Sequence, residues 1–358
     1  MRQLFALLAL TAALVTGSQG RAVVLAEAST PQAPAGTVPG SWSASDCATC
    51  HEKAVNTKFK QSSHALKAQS CATCHKNVSE HMQAQLAGEK GPVPSLKTVK
   101  AQDLNATCLT CHESGARTNW HGGAHDRRDV SCTSCHSVHN YQSAAAQLKT
   151  ANDFDTCFTC HKQMRAQFQR TSHHPLREGK MQCSSCHNPH DSTQPKMISA
   201  ASVNEKCYQC HTEKRGPFVW EHEPVRESCV TCHNPHGSTT CPLLKADSVN
   251  GVCYACHAEK RGPLLWEHAP VRESCMNCHH PHGSNQDKLL VAGRPQLCQQ
   301  CHSPSVGHPG KFFRADQTAA AGQLTGGAAS QRVIGRSCQN CHSQIHGSNH
   351  PAGARWQR

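Results

Sequence analysis

The chain has 358 residues, with 36 Lys and Arg against 24 Asp and Glu, 28 His and 25 Cys. Aromatic residues make up only 4% and the mean hydropathy is −0.58. Apolar side chains alone therefore cannot offset the entropy of ordering a chain this long, which excludes an ordinary self-sufficient globular core. The formal charge of +12 comes with no long basic run interleaved with aromatics, so nucleic acid is not an expected partner.

The first element is a basic start, Met1-Arg2-Gln3, followed by an apolar run from Leu4 to Val15 and a small-residue exit at Val24-Leu25-Ala26. This pattern predicts a cleaved signal peptide over residues 1–26. The run is shorter than the about 18 apolar residues of a membrane span, and export predicts a periplasmic address. Residues 27–46 are rich in Pro, Ala, Ser and Gly and read as a flexible leader.

From there to residue 358 the chain spells Cys-x-x-Cys-His twelve times. The motifs are Cys47, Cys50 and His51; Cys71, Cys74 and His75; Cys108, Cys111 and His112; Cys132, Cys135 and His136; Cys157, Cys160 and His161; Cys183, Cys186 and His187. They continue with Cys207, Cys210 and His211; Cys229, Cys232 and His233; Cys253, Cys256 and His257; Cys275, Cys278 and His279; Cys298, Cys301 and His302; Cys338, Cys341 and His342. In a secreted chain two thiols beside an imidazole have one joint use: thioether attachment of a haem whose iron the His binds. Zinc sites, thioredoxin-like redox pairs and structural disulfides do not require a His at that place each time. Twelve c-type haems are therefore expected. Their rigid apolar plates supply the missing core, and folding becomes coupled to haem attachment. Each ferric haem with two propionates adds about −1, so the array nearly cancels the basic excess. The remaining thiol, Cys241, reads as a reactive group or as an incidental loop residue.

Within the array, residues 207–238 match residues 253–284 at 24 of 32 positions, a two-haem module repeated 46 residues later. A fainter copy runs from Cys157 to Asp191. Such repetition predicts a quasi-linear stack of units. Gly and Pro punctuate most segments between motifs, as in Arg215-Gly216-Pro217 and Arg261-Gly262-Pro263. The expected fold is a multihaem cytochrome c: mostly coil, with short helices wrapped around an elongated haem array and little or no β-sheet. The Ala-, Gly- and Gln-rich stretch from Thr318 to Ser330 reads as a mobile loop.

The second axial ligand decides what each haem can do, and sixteen His remain after the twelve proximal ones. His222 and His268 occupy equivalent places in Trp-Glu-His-x-Pro-Val-Arg-Glu, and the His-x-Pro-x-Arg-Glu pattern favours His173 over His174. A second series, His139, His190, His236 and His282, follows the proximal His by three residues, often in a Pro-His-Gly-Ser turn. His64, His81, His125, His308 and His346 complete the expected distal set, leaving His121, His280 and His350 as non-ligands. Arg215, Arg226, Arg261 and Arg272 read equally as propionate clamps or as solvated charge. Trp220 and Trp266 read as packing residues.

The segments Cys-x-x-Cys-His-x-Glu-Lys-Arg-Gly-Pro-x-x-Trp-Glu-His-x-Pro-Val-Arg-Glu and Cys-x-x-Cys-His-Asn-Pro-His-Gly-Ser resemble the periplasmic decahaem cytochromes of the MtrA/DmsE type. The resemblance runs from about Cys47 to Gly310; this chain has twelve motifs where that family typically has ten. It implies an elongated bis-His haem wire seated in an outer-membrane β-barrel porin. Periplasmic or inner-membrane cytochromes would donate, and an extracellular multihaem cytochrome or a mineral or metal acceptor would receive. The expectation is thus an electron-transfer conduit rather than an enzyme. A soluble periplasmic shuttle is the alternative, and a multihaem reductase, which needs an open iron, is the minor one.

Overall fold

The computed structural model describes residues 42–67, 70–93, 95–294, 296–302, 337–351 and 353. The signal peptide, most of the leader, the Thr318–Ser330 stretch and His308 lie outside these residues. The helix Ala44–Ala48, capped by the Ser43 hydroxyl, begins inside the segment read as leader and carries the first motif cysteine.

Each Cys-x-x-Cys-His segment is one helical turn. In all twelve, the backbone N–H of the His donates to the carbonyl of the first Cys, at 2.8–3.1 Å. Positions i, i+3 and i+4 share one side of such a turn. The motif therefore presents both thiols and the imidazole to the same space. Odd-numbered motifs hang from the C-terminal end of a short helix: Ala101–Leu109, Asp153–Phe158, Val203–Tyr208 and Val249–Tyr254. Ser202 and Ser248 start the last two by accepting hydrogen bonds from the backbone N–H groups of Glu205 and Gly251. Even-numbered motifs are isolated turns, such as Cys132–Cys135, Cys229–Thr231 and Cys275–Asn277.

Among the described residues there is no β-sheet, only isolated bridges. Three bridges stitch successive modules: Ser172 to Ser238, Trp220 to Ser284 and Trp266 to Ser348, each by two backbone hydrogen bonds of 2.8–3.0 Å. The glycines of the two Pro-His-Gly-Ser turns and of Ile345-His346-Gly347-Ser348 sit at these seams. Gly237, Gly283 and Gly347 have φ of 153°, 134° and 124°. A Cβ there would run into the Gln167 carbonyl, the Phe218 ring and the Leu264 side chain respectively.

Protein side chains form only a thin core. Phe59, Leu104, Trp120, Phe168, Leu176 and Leu290 are buried, yet the most deeply buried side chain is the polar Ser62. Beneath them runs one cavity of about 4480 Å³, from Ser63 to His346. That is several times the about 300–1,000 Å³ of an ordinary ligand pocket. No described helix is long and apolar enough to cross a membrane.

Candidate haem-binding site

The ten motif histidines from His112 to His342 line the cavity, and eleven of the twelve motif histidines stand in opposed pairs. Ring centroids lie 6.2 Å apart for His51 and His81, 5.9 Å for His64 and His112, and 6.3 Å for His75 and His139. The separations are 6.2 Å for His125 and His161, 6.0 Å for His136 and His190, and 6.1 Å for His187 and His236. His174 stands 6.4 Å from His211, His222 6.4 Å from His257, and His233 6.1 Å from His282. His268 and His302 are 6.1 Å apart, and His279 and His346 6.2 Å. Eleven proximal candidates thus face a second imidazole at nearly one distance. Two metal–imidazole bonds of about 2.0 Å each, plus the reach from each ring centre to its coordinating nitrogen, add up to just over ~6 Å. The spacing fits one iron between two rings.

One correction concerns the third module. The sequence pattern favours His173, but His174 is the ring that faces His211. The backbone bridge sets the register. Ser172, Trp220 and Trp266 occupy equivalent bridge positions, and the residue two further on is His174, His222 or His268. His173 instead donates from Nδ1 to the Arg170 carbonyl at 2.7 Å and pairs through Nε2 with Glu178 at 3.2 Å. Like His121 and His280, it opposes no described motif imidazole.

Hydrogen bonds fix the ring tautomers. Nδ1 of His125, His174, His222 and His268 lies 2.7–3.0 Å from the carbonyls of Pro189, Pro235, Pro281 and Ile345. A carbonyl only accepts, so Nδ1 carries the proton and Nε2 keeps its lone pair for a metal. Each of these carbonyls belongs to the residue just before His190, His236, His282 or His346. The brace therefore ties the two distal series together. On the motif side, Nδ1 of His136, His187, His233 and His279 donates to Ala146, Lys196, Pro242 and Lys288 at 2.7–2.9 Å. Nδ1 of His64 and of His190 is buried without a partner. Burial pushes His190 and His282 down to about 4, with smaller pushes from His136 and Arg117 on the first and from Lys214 on the second. Burial likewise lowers His139, His236, His268 and His346. In these six the neutral imidazole, the form that binds metal, is favoured.

The motifs follow one another in space as they do in sequence, through two alternating joints. In the first, the leading cysteines of an odd motif and the next even motif touch. Cys47 meets Cys71, Cys108 meets Cys132, Cys157 meets Cys183, Cys207 meets Cys229, Cys253 meets Cys275 and Cys298 meets Cys338. The shared hydrogen bond lowers Cys132, Cys157 and Cys229, the last to about 7, and raises Cys108, Cys183 and Cys207. In the second, the trailing cysteine of an even motif lies beside the next odd motif, as Cys74 does beside Cys108 and Cys111, and Cys278 beside Cys301. Cys135, Cys186 and Cys232 repeat this arrangement.

None of the 25 cysteines is joined in a disulfide, and Cys241 is exposed. Among the described residues no three His, Cys, Asp or Glu converge as a zinc site would require. Three of the four arginines read as possible propionate clamps lie in exposed ion pairs. Arg215 pairs with Glu205 at 3.1 Å, Arg226 with Glu221 and Glu223 at 3.2 Å, and Arg272 with Glu267 at 3.3 Å. Trp220 is half-exposed, and Trp266 donates from Nε1 to the His350 carbonyl at 3.1 Å.

Sequence reasoning missed one group of residues, the buried Asn105, Asn204 and Asn250 and the half-buried Asp153. Each reaches from the helix of an odd motif to the backbone of the following even motif. An Asn three residues before Cys108, Cys207 and Cys253 is the signal that could have found three of them.

Motif turns, opposed imidazoles and a cavity of haem-array size are the features of a multihaem c-type cytochrome. Residues 121–166, 173–216, 222–262 and 268–307 match the doubled CXXCH motif family, and residues 46–137 match the cytochrome c554 and c-prime family. The chain is similar to the multiheme cytochrome MtrA of Shewanella baltica, with 39% identity over 261 residues. That match covers 73% of this chain and 62% of the relative's length.

Proposed function

We propose that the chain carries twelve c-type haems and passes electrons along them in sequence order, as a conduit between the periplasm and the cell exterior. The eleven imidazole pairs at 5.9–6.4 Å carry this reading. Each motif His is the proximal ligand. The distal ligands are His81, His64, His139, His125, His190, His174, His236, His222, His282, His268 and His346, with His308 the candidate for the haem of His342. The six touching cysteine pairs join different motifs two by two, so six contacts account for twelve haems. A haem with two imidazoles has no free position for substrate, which favours electron transfer over bond chemistry.

Haem supplies the redox change, and the chain's residues do the rest. The paired histidines would hold the irons, the carbonyl-bonded Nδ1 groups orient the rings, and the cysteine joints set the order of neighbours. A polar, loop-rich chain of this kind could cross a bilayer only inside a protein pore. This is the reason to expect a β-barrel porin as partner, cytochrome donors on the periplasmic side, and a cytochrome or metal acceptor outside. A signal peptide over residues 1–26 would deliver the chain to that compartment.

The test is a haem-stained native gel of detergent-solubilised outer membranes beside the soluble periplasm, with the mass of the purified protein. A large haem-positive complex containing a barrel protein and a mass gain of twelve haems are expected. Stain confined to the soluble lane, at the size of a lone cytochrome, would overturn the conduit and leave a soluble shuttle.

A further inference from the structure

We infer that Asn105, Asp153, Asn204 and Asn250 are positioning residues that set the spacing, and hence the electronic coupling, within four of the haem pairs. This rests on the proposed reading that the motif cysteines carry haem.

The geometry repeats from joint to joint. Asn204 lies on the helix that ends in the seventh motif, one turn before Cys207, which puts the two on the same face. Its Oδ1 accepts the backbone N–H of Cys229 at 2.8 Å, and its Nδ2 donates to the carbonyls of Val225 and Arg226 at 2.9 and 3.1 Å. Asn250 does the same one module later. It accepts from Cys275 at 2.8 Å and donates to Val271 and Arg272 at 2.9 and 3.1 Å. Asn105 accepts from Cys132 at 2.7 Å and donates to Val130 at 3.0 Å. At the remaining joint, Asp153 accepts from the backbone N–H groups of Cys183 and Ser184, at 3.2 and 2.9 Å, and from the Ser184 hydroxyl at 2.7 Å.

Each bracket joins the segment before one leading cysteine to the amide of the other, across the joint where the two thiols meet. The three asparagines are 3–9% exposed, so water cannot replace the bonds if the side chain is lost. A haem hangs from each of these cysteines. One short side chain therefore fixes how far apart two neighbouring porphyrins are attached. The distal histidines do not do this, because their carbonyl braces tie an even motif to the next odd one, across the other joint. Asn and Asp use different partners to reach the same cysteine amide, which shows that capping this amide is the feature the four joints share.

The experiment uses the full-length, haem-loaded protein with Asn204→Ala and with Asn204→Asp/Val230→Ser, which transplants the Asp153 and Ser184 arrangement. Leaving the Cys229 amide unsatisfied should lower its hydrogen-exchange protection by about 5- to 100-fold. The magnetic coupling between the seventh and eighth haems, read by EPR, should weaken in Asn204→Ala. Haem content and low-spin ligation should stay native, and the double variant should restore the coupling. A purely structural role would lower stability without changing the pair's EPR signature. Native coupling and exchange in Asn204→Ala would overturn the inference, as would native haem content with no rescue in the double variant. If Asn204→Ala does not load, Asn204→Asp keeps an acceptor for the Cys229 amide and must load with near-native coupling, and weakened coupling there also overturns it. A wild-type protein without haem would overturn the cofactor reading instead, before any variant is compared.

Discussion

Truncating His174 to Ala, beside a His173→Ala control, is the sharpest test of how the seams set ligation. His174 faces His211 at 6.4 Å and donates from Nδ1 to Pro235 at 2.7 Å. Its loss removes one axial bond and opens one iron. With twelve motifs in the chain, about one-twelfth of the haem absorbance should turn high-spin, and the reduced protein should bind about one CO per chain. The Pro235 carbonyl also loses its donor, which destabilises the seam by about 1–3 kcal/mol. His173 cannot step in, because its ring is engaged by Arg170 and Glu178. Truncating His173 removes only a surface contact worth about 0–1 kcal/mol and opens no iron. The assay is CO titration of the dithionite-reduced variants, with the high-spin band of the oxidised proteins as a second readout. A CO-binding haem in His173→Ala, with none in His174→Ala, would refute the bridge-register argument.

Gly283→Ala should destabilise the seam by about 1–3 kcal/mol, because its φ is 134° and the new Cβ meets the Phe218 ring. Adding Phe218→Ala should recover the steric part but not the backbone part, as thermal melts of the single and double variants would show. Stability should also fall in acid. The distal imidazoles His190 and His282 are pushed from 6.5 to about 4, so the unfolded chain binds more protons across that interval. Their contribution is complete above about pH 6.5 and is lost as pH falls toward about 4; urea melts at pH 8, 6 and 4 should descend in that order, and equal midpoints at pH 8 and 4 would contradict it. Chain produced without haem attachment should give a coil-like circular dichroism spectrum and be digested rapidly, since its own buried side chains are few.

The local chemistry was legible in the sequence because it is local. A Cys and a His four residues apart must share a side of a helical turn, and all twelve motifs form that turn. The seams were partly legible, since Pro-His-Gly-Ser marks a tight turn whose glycines Gly237 and Gly283 the structure places against Gln167 and Phe218; Ile-His-Gly-Ser repeats the contact at Gly347, against Leu264. The short-range pattern points to His173, whereas the ring that faces His211 is His174, for a nonlocal reason. The His-x-Pro pattern is a short-range cue, whereas the backbone pairing of Ser172 with Ser238, 66 residues away, decides which ring points inward. The partner of each motif His was hidden for the same reason. His75 is matched by His139 from beyond the next motif, while His211 is matched by His174 from before its own. The bracket asparagines escaped notice because Asp153 stands four residues before its cysteine rather than three, which blurs the repeat.

The seam bridges also bear on how such a chain can change over generations. Trp220 with Ser284 and Trp266 with Ser348 are the same contact made twice, offset by 46 residues on the first side. Copying a stretch of that length inserts a new donor and a new acceptor together, and every older contact closes as before. A duplication that cut a module in two would leave an imidazole facing nothing. Inheritance can therefore alter the reach of this molecule only in whole steps, two cofactors at a time.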